Sequence, residues 1–430
     1  MRLVLLAVVT SGCGYGRDTA PWCSASPEEP GTAPETPTYY GDVAPILEGR
    51  CVRCHEDGGM APFSLRTPGE AIEHARAMAW AVTTRTMPPF QAAGCCNDYF
   101  SDFSLTADEI ATIEAWVDAD TPIGDAEEVP EPLAPVGGLS RVDVELEMPR
   151  PYTPDPASGR TDDVRCFVLD WPVDETMYVT GLEPVPGNRS IVHHLLVAAI
   201  EPDDLGYLPE DAEDAEAGFD CEGGFGRIPL GEIVILGGSL LGSDFPDGLG
   251  RKVRAGSKIL LNVHYSTAHG GVGSDQTRIR FRLDETAREG EGMAISNLAW
   301  LVGDGMKIDA GDPDAVFWYH YEPTLFTRGE TVYLRSVSAH MHYFGSQFLV
   351  RILRADGSRT CLLEIPDRDF GWEQPYWFAE PIRLDPGDSL YLECHFDNSA
   401  QNQPTADPPR DIAWGNDNQD MCAAFLGFTR

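Results

Sequence analysis

Lys258-Ile259-Leu260-Leu261-Asn262-Val263-His264-Tyr265 is the stretch that best indicates the fold of this chain of 430 residues. It is a short run of mostly apolar residues, and similar runs, such as residues 332–337, follow one another from about residue 139 onward. Turn sequences rich in Gly, Pro and Asp separate them. Short apolar runs that alternate with turn sequences are typical of antiparallel β-sandwiches. Because about 290 residues is generous for one sandwich, the sequence predicts two sandwiches, joined near residue 290.

The composition excludes several classes of protein. Apolar residues make up 42% of the chain and include 9 Trp, 18 Phe and 14 Tyr, which is enough for hydrophobic cores and excludes a disordered protein. The 43 Gly and 34 Pro suit a β-rich protein with many turns. The formal net charge of -38 repels nucleic acid, so we expect no DNA or RNA partner.

The N-terminus is typical of an exported protein. After Met1-Arg2, an apolar run over residues 3–9 leads to Thr10-Ser11-Gly12-Cys13. This resembles a bacterial lipoprotein signal, which implies that residues 1–12 are a signal peptide and that Cys13 is lipidated and anchors the chain to a membrane. An ordinary signal peptide and a wrongly assigned start codon are the alternatives. We expect a periplasmic or outer-membrane-anchored protein of a Gram-negative bacterium, in a compartment where disulfides persist.

Composition also divides the rest of the chain. Residues 13–38 are rich in Pro, Ser, Thr and Glu, which predicts a flexible tether. A compact segment at 39–125 precedes a second linker at 126–138. The two predicted sandwich domains then occupy residues 139–290 and 291–430.

A cofactor motif lies in the segment 39–125, at Cys51-Val52-Arg53-Cys54-His55. Cys-x-x-Cys-His is the attachment signature of c-type haem, in which both thiols bond to the haem and the histidine binds its iron. A zinc half-site and a redox dithiol are the alternatives. A zinc site needs a second Cys/His pair nearby, and a dithiol leaves His55 without a role.

The surroundings of this motif resemble the small class I cytochrome c domain, which implies an all-α fold over about residues 39–125. Thr106-Ala107-Asp108-Glu109 is a capping box that predicts the start of the last helix. In that family a methionine in the loop before the last helix is the sixth iron ligand, and Met87 has this position. His/Met ligation would make the haem an electron carrier. Three competing ligands are expected to be core or surface residues, namely Met60, Met78 and His74.

Histidines and one methionine form a second set of candidate metal ligands, in the groups His193-His194, His264, His340-Met341-His342 and Met421. Copper and zinc both bind imidazole, whereas a soft thioether favours Cu(I). His340 and His342 leave the same face of a strand and can clamp one metal. His193 and His194 leave opposite faces of a regular strand, so they share a metal only where the strand is distorted or ends, or by using different ring nitrogens.

The order of these groups is similar to that of the copper type II, ascorbate-dependent monooxygenases, the family of peptidylglycine α-hydroxylating and dopamine β-monooxygenases. The similarity spans about residues 140–430. It implies two jelly-roll-like β-sandwiches that bind one copper each. The electron-transfer copper would be held by His193, His194 and His264. The copper that binds dioxygen would be held by His340, His342 and Met421.

The same resemblance includes cysteine motifs, and it implies the disulfides Cys166–Cys221 and Cys394–Cys422. It assigns no partner to the remaining cysteines outside the haem motif and the signal, which are Cys23, Cys95, Cys96 and Cys361. The peptide-processing members have Arg and Tyr where this chain has Ser338 and Phe425. A glycine-extended peptide is therefore not the expected substrate, and the pocket is expected to be less polar at these points, which favours an apolar or neutral substrate. The other histidines, His269, His320 and His395, are expected to be structural or surface residues.

The resemblance implies that a small molecule with an activated C–H bond is hydroxylated with O2. Ascorbate reduces both coppers in the animal enzymes. Here we expect the covalently attached haem to relay electrons from a periplasmic donor. The alternative is an exported copper-binding or electron-transfer lipoprotein without oxygenase activity. A zinc hydrolase is a third hypothesis, but the chain lacks a His-Glu-x-x-His motif.

Overall fold

The computed structural model describes most of the chain. The described residues are 16–25, 29–57, 61–100, 102–128, 138–156, 162–209, 212, 218–221, 233–238, 242–267, 271–301, 305–403, 408–415 and 419–430. The predicted signal peptide at 1–12 lies outside them, as do Cys13, Met60, His269 and most of the predicted linker at 126–138. Among the helices in the described ranges, none is long and apolar enough to cross a membrane.

The protein is mostly β-sheet, with a helical fraction of 16%. The α-helices in the described residues are α1 (Ala44–Arg50), α2 (Pro68–Thr83), α3 (Ala107–Asp118) and α4 (Thr324–Thr327). The capping box predicted at Thr106 is confirmed, because its hydroxyl accepts a bond from the Glu109 N–H while the Glu109 carboxylate accepts one from the Thr106 N–H. Thr67 and Glu70 start α2 in the same way.

The strands follow in chain order. The first eleven are β1 (Tyr99–Phe100), β2 (Val144–Glu147), β3 (Asp162–Asp170), β4 (Met177–Val185), β5 (Val192–Ile200), β6 (Phe219–Asp220), β7 (Ile233–Gly238), β8 (Ser243–Asp244), β9 (Leu249–Val253), β10 (Lys258–Ser266) and β11 (Arg278–Asp284). The next are β12 (Arg288–Glu289), β13 (Glu291–Ile295), β14 (Lys307–Ile308), β15 (Ala315–Tyr321), β16 (Val332–His340), β17 (Gly345–Leu353), β18 (Arg359–Ile365), β19 (Tyr376–Leu384), β20 (Ser389–Phe396), β21 (Ile412–Ala413) and β22 (Ala423–Thr429).

Most of these strands form small sheets in a four-bladed, propeller-like arrangement. Sheet I has the order β1-β19-β16-β22-β13, and sheet II has the order β6-β3-β10-β5-β7. Sheet III has the order β12-β9-β4-β11-β2 with β8 paired to β4, and sheet IV has the order β15-β20-β17-β18. Strands β14 and β21 form a separate ribbon. Among the described residues, the named strands pair with one another in antiparallel fashion, except that β9 and β12 are parallel.

The cores follow from the alternation of side chains along the strands. In β11, half-exposed arginines alternate with buried Ile279, Phe281 and Leu283, so one face of the strand meets the core. Residues of sheets II and III share the core that contains these side chains. Residues of sheets I and IV share a second core, which includes the fully buried Phe348 and Phe428. The helices α1, α2 and α3 pack around a third, with Trp116 fully buried.

The predicted fold class, a small all-α cytochrome c domain followed by two antiparallel jelly-roll-like β-sandwich domains, is wrong. The strands assort into four small sheets, and the N-terminal segment is not an all-α domain. Its strand β1 pairs with β19, with Tyr99 opposite Phe378, and Tyr99 is buried in the core of sheets I and IV. A disulfide also joins Cys96 to Cys361 of β18. Hydrophobic periodicity indicates which face of an element is buried but not which distant element covers it.

Candidate metal centres

The first histidine cluster consists of His193 and His194 of β5 and His264 of β10. One ligand nitrogen from each ring lies within 4.8 Å of the others. In the β5–β10 ladder His264 lies opposite His194 and Tyr265 lies opposite Val192, so His193 is the extra residue of a bulge. The bulge breaks the alternation of side chains, and this is why two adjacent histidines face the same partner.

The chemistry of this cluster suits a metal ion. The Nδ1 atoms of His193 and His194 are 3.1 Å apart, and the ring centroids of His194 and His264 are 4.7 Å apart. Burial lowers the pKa of His194 well below its usual value, and the neighbouring His264 and His193 lower it further. The ring is therefore neutral at neutral pH and offers a lone pair. Three convergent imidazoles fit copper or zinc.

The second cluster contains His340, at the end of β16, and His342. Their rings are perpendicular, with centroids 5.3 Å apart. The Nδ1 of His342 is 3.2 Å from the carbonyl oxygen of Gln419, and in the tautomer that donates this bond Nε2 carries the free lone pair. Burial lowers the pKa of His340 to about 4, although Glu373 opposes the shift. The ring of His340 is therefore neutral at neutral pH and can act as a ligand.

Asp420 connects the segment that carries Met421 to this histidine pair. Its buried carboxylate accepts bonds from the N–H groups of His342 at 2.7 Å, Phe344 at 2.9 Å and Met421 at 2.7 Å. The Cys394–Cys422 disulfide holds the residue after Met421. Sequence reasoning assigned no role to Asp420, because a buried aspartate in a loop has the same local pattern as an exposed one.

Asp275 is a second buried carboxylate that sequence reasoning missed. One oxygen accepts bonds from the N–H groups of Gly187 at 2.8 Å and Asn188 at 2.9 Å, just before β5. The other accepts bonds from the hydroxyls of Tyr265 at 3.0 Å and Thr277 at 2.8 Å. Tyr265 follows His264 in β10. Asp275 therefore links the turn before β5, the strand that carries His193, to β10, the strand that carries His264.

The haem motif follows α1 directly. Cys51 and Cys54 are free thiols, and the Nδ1 of His55 lies 3.1 Å from the carbonyl oxygen of Phe63. When Nδ1 donates this bond, Nε2 is left as a possible iron ligand. Burial raises the pKa of Cys51 to about 12 and lowers that of His55. Met87 is 45% exposed, and none of the contacts seen among the described residues joins it to the motif.

The competing ligands Met78 and His74 lie in the same helical region as the motif, and Phe63 packs against the rings of both His55 and His74. Met78 is buried in the helical core, and the ring of His74 stacks on Phe63 with centroids 3.9 Å apart.

His320 lies 3.0 Å from the carbonyl oxygen of Gly16, and His395 lies between the carboxylates of Glu393 and Asp314. Among the residues named here, His320 and His395 therefore have structural contacts away from both histidine clusters.

Four disulfides join the cysteines outside the haem motif in the described residues. Cys166–Cys221 and Cys394–Cys422 are the pairs that the family resemblance implies. Cys23–Cys95 and Cys96–Cys361 were not predicted, since spacing does not determine connectivity. Four disulfides are typical of proteins that fold in an oxidising compartment.

Comparison with known proteins gives one weak sequence similarity and no family match. No protein-family model matches the sequence. Over 284 residues, 61% of this chain, the sequence is 22% identical to DBH-like monooxygenase protein 1 of Gallus gallus. The matched region spans 43% of that relative, less than half of its length.

Two solved structures resemble this chain only weakly. The crystal structure of the STIV MCP has a TM-score of 0.22 at 10% identity and covers 66% of this chain and 95% of that one. A putative secreted protein from Parabacteroides distasonis has a TM-score of 0.17 at 7% identity and covers 67% of this chain and 88% of that one. Values this low carry no argument about fold or function.

Proposed function

We propose that this protein is an exported copper-dependent monooxygenase that hydroxylates an activated C–H bond of a small molecule. The main observation in favour is the convergence of His193, His194 and His264, with the His340–His342 pair tied by Asp420 to the segment of Met421. The weak similarity to a protein named as a monooxygenase supports the same reading. The overall reaction is R–H + O2 + two electrons + two protons, giving R–OH + water.

The two clusters would have different ligand sets. His193, His194 and His264 would hold one copper through imidazoles alone, and His340, His342 and Met421 would hold the other. Copper bound at such side chains supplies one-electron chemistry with dioxygen. The thioether of Met421 favours Cu(I) over zinc, which distinguishes this hypothesis from a zinc hydrolase. The imidazoles of His194 and His340, whose pKa values are lowered, need lose no proton before they bind.

Two residues near His340, Ser338 and Phe425, favour a neutral, largely apolar substrate. Ser338 and Phe425 lie directly opposite each other on β16 and β22. The ring of Phe425 is 5.8 Å from that of His340. These two positions carry a small hydroxyl and a phenyl ring, where the peptide-processing enzymes have a cationic side chain and a phenol. The pair therefore offers no cation to bind the carboxylate of a peptide.

Electrons would reach the clusters from a periplasmic donor through a haem attached to Cys51 and Cys54. His55 would bind its iron, and Met87 is the proposed second axial ligand. The Cys-x-x-Cys-His spacing, the two free thiols and the Nδ1 contact of His55 support this part of the proposal. A donor on the same chain has an effective concentration of about millimolar at its acceptor. Lipidation of Cys13 would place the enzyme on a membrane.

Metal and haem content of protein expressed in the periplasm tests the proposal. We expect two coppers and one covalent haem per chain, and Met421→Ala should lower the Cu(I) affinity of one site alone. Met421→His should restore metal binding with an altered electron paramagnetic resonance spectrum. Oxygen uptake should then identify substrates. Zinc in both sites, or fewer than two coppers, would contradict the proposal, and two coppers without oxygen uptake would favour a copper-binding or electron-transfer lipoprotein.

The role of the haem has its own test. Reduced haem is mixed with oxidised copper protein in a stopped-flow instrument, and the haem spectrum is followed. Reoxidation on the timescale of turnover is expected for a relay. No reoxidation would exclude the haem as the electron donor and would leave the copper chemistry unaffected.

A further inference from the structure

One short segment lies against both histidine clusters. It joins β18 to β19, and we call residues 367–373 the bridging segment. Residues at its two ends contact the His340–His342 cluster, and residues in its middle contact the His193–His194–His264 cluster. The two clusters come from strands of different sheets, so their relative position depends on what lies between them.

Arg368 anchors the bridging segment to the second cluster. Its side chain is 1% exposed. The guanidinium donates to the carbonyl oxygens of His342, at 2.8 Å, and of Met341. The Arg368 N–H donates to the carbonyl oxygen of Ser346 at 2.8 Å. Arg368 thus holds the backbone on both sides of His342, and its planar group has donors enough for several acceptors at once.

Glu373 completes this anchor at the other end of the bridging segment. Its Oε1 accepts a bond from Arg368 at 2.7 Å. Its Oε2 lies 3.9 Å from Nδ1 of His340, which is longer than a hydrogen bond but within the range of electrostatic attraction. A carboxylate beside the non-ligating nitrogen of a histidine orients the ring of a metal ligand. The pair Arg368–Glu373 therefore acts on the backbone of His342 and on the ring of His340.

The middle of the bridging segment contacts the first cluster. The ring of Phe370 lies 6.1 Å from that of His193 and 6.4 Å from that of His264, measured between centroids. Gly371 follows, and a Cβ built on it would lie 3.6 Å from Nε2 of His193. The guanidinium of Arg368 lies 5.9 Å from the centroid of Phe370. Arg368, which holds the second cluster, thus lies next to Phe370, which contacts the first cluster.

The bridging segment is also held by the N-terminal segment. Gln91 donates from its side-chain amide to the carbonyl oxygen of Asp369 at 2.9 Å. The ring of Phe103 packs edge-on against Trp372, with centroids 6.4 Å apart. The segment therefore has contacts with both histidine clusters and with the N-terminal segment.

We propose that the bridging segment sets the relative position of the two metal centres, with Arg368 and Glu373 as its positioning residues. This inference rests on the proposed function, because it requires a copper ion in each cluster. Neither residue is a ligand, and both act through the histidines. Weaker anchoring lets the His340–His342 pair shift relative to Phe370 and the first cluster, so the distance between the centres becomes less well defined. Supporting residues of this kind often change metal affinity about 10–100-fold.

The test uses the full-length protein loaded with two Cu(II) ions. Pulsed electron paramagnetic resonance measures the distribution of distances between the ions, and competition with a Cu(I) chelator measures the affinity of each cluster. The variants are Glu373→Gln, which removes the charge with little change in shape, and Arg368→Lys, which keeps the charge but loses the planar fork. Asp367→Asn is the control, because Asp367 is exposed, lies in the same segment and carries the same charge as Glu373.

We expect one narrow distribution in the wild type and in Asp367→Asn, and a broader or displaced one in both test variants. The Cu(I) affinity of the second cluster should fall about 10-fold or more in Glu373→Gln, with the first cluster changed less. Distributions and affinities equal to those of the wild type in Glu373→Gln, which is least able to disturb folding, would overturn the inference. A wild-type protein that binds fewer than two coppers would instead contradict the proposed function, and is visible before any variant is made.

Discussion

Glu393→Gln tests whether an ion network on sheet IV stabilises the protein. Glu393 lies in β20, and its side chain is 1% exposed because residues 16–25 lie across this face of the sheet. Arg17 donates two bonds to it at 3.0 and 2.9 Å. His395 lies 3.0 Å away, and Tyr391 donates a further bond. The substitution keeps the shape of the side chain and removes its charge.

The expected contribution of the Glu393 charge to the free energy of unfolding follows from the pKa of this residue. Burial by itself raises this pKa, but the bonds from His395, Arg17 and Tyr391 outweigh burial and lower it from 4.5 to about 2. A depressed pKa stabilises the folded state above pH 4.5, and the contribution is lost as the pH falls towards 2. At about 1.4 kcal/mol per pH unit, the difference corresponds to about 3 kcal/mol. This is an upper value, since Arg17 is 43% exposed and water screens its share.

His395 limits the upper end of the pH window. Burial lowers its pKa, but bonds to Glu393 and Asp314 outweigh burial and raise it above 6.5. Its contribution is complete below pH 6.5 and is lost as the pH rises through the raised pKa. The network as a whole is therefore most stabilising between about pH 4.5 and pH 6.5. Measurements at pH 5.5 should show its full contribution.

Urea denaturation followed by tryptophan fluorescence provides the assay, because Trp22 packs edge-on against His395. At pH 5.5 Glu393→Gln should unfold with a free energy up to about 3 kcal/mol lower than the wild type, and the difference should shrink steadily below pH 4.5. The exposed Glu380→Gln, on β19, is the matched control and should change little. A difference between wild type and Glu393→Gln that stays constant from pH 5.5 to pH 3 would refute the reasoning.

Three further predictions concern stability. Asp275→Asn should lower the free energy of unfolding by about 2–4 kcal/mol in urea denaturation, because an amide cannot accept all four bonds that the buried carboxylate accepts; a change below 0.5 kcal/mol would contradict this role. The double variant Cys96→Ser/Cys361→Ser should lose about 2–5 kcal/mol and melt earlier in calorimetry, since it frees the N-terminal segment from β18; an unchanged melting temperature would argue against this bridge. Thr106→Ala should lower the free energy of unfolding in urea denaturation by about 1 kcal/mol, because it removes the cap of α3. Thr106→Ser should restore most of this loss, because serine also caps a helix.

Local elements were the best predicted part of the fold. The capping box at Thr106 and the strand that contains Lys258–Ser266 were both identified correctly from residue types and spacing. These features are encoded within a few residues, because a cap or an alternating face depends on near neighbours. The fold class was wrong because it depends on long-range pairing, such as that of β1 with β19.

For the candidate ligands, too, the sequence indicated the residue types and long-range pairing decided how they are arranged. Residue chemistry selected His193, His194 and His264, but adjacent histidines on a regular strand diverge. The bulge in β5 is what brings them together, and it arises from the pairing of β5 with β10. The supporting residues Arg368 and Glu373 were missed, because an arginine and a glutamate in a loop are ordinary surface residues until the fold buries one and directs the other at a histidine.

The sequence by itself determined which side chains are available: the histidines, the methionine, the paired thiols of the haem motif, and the caps and alternating strands that build local structure. Only the tertiary structure decided which of them meet. It set the four sheets, the pairs Cys23–Cys95 and Cys96–Cys361, and the placement of Glu393 beneath residues 16–25. The physical reason is range. Hydrogen bonds within a turn and the alternation of a strand involve near neighbours, whereas burial and ion pairing depend on surfaces that meet hundreds of residues apart in the chain, as Arg17 meets Glu393.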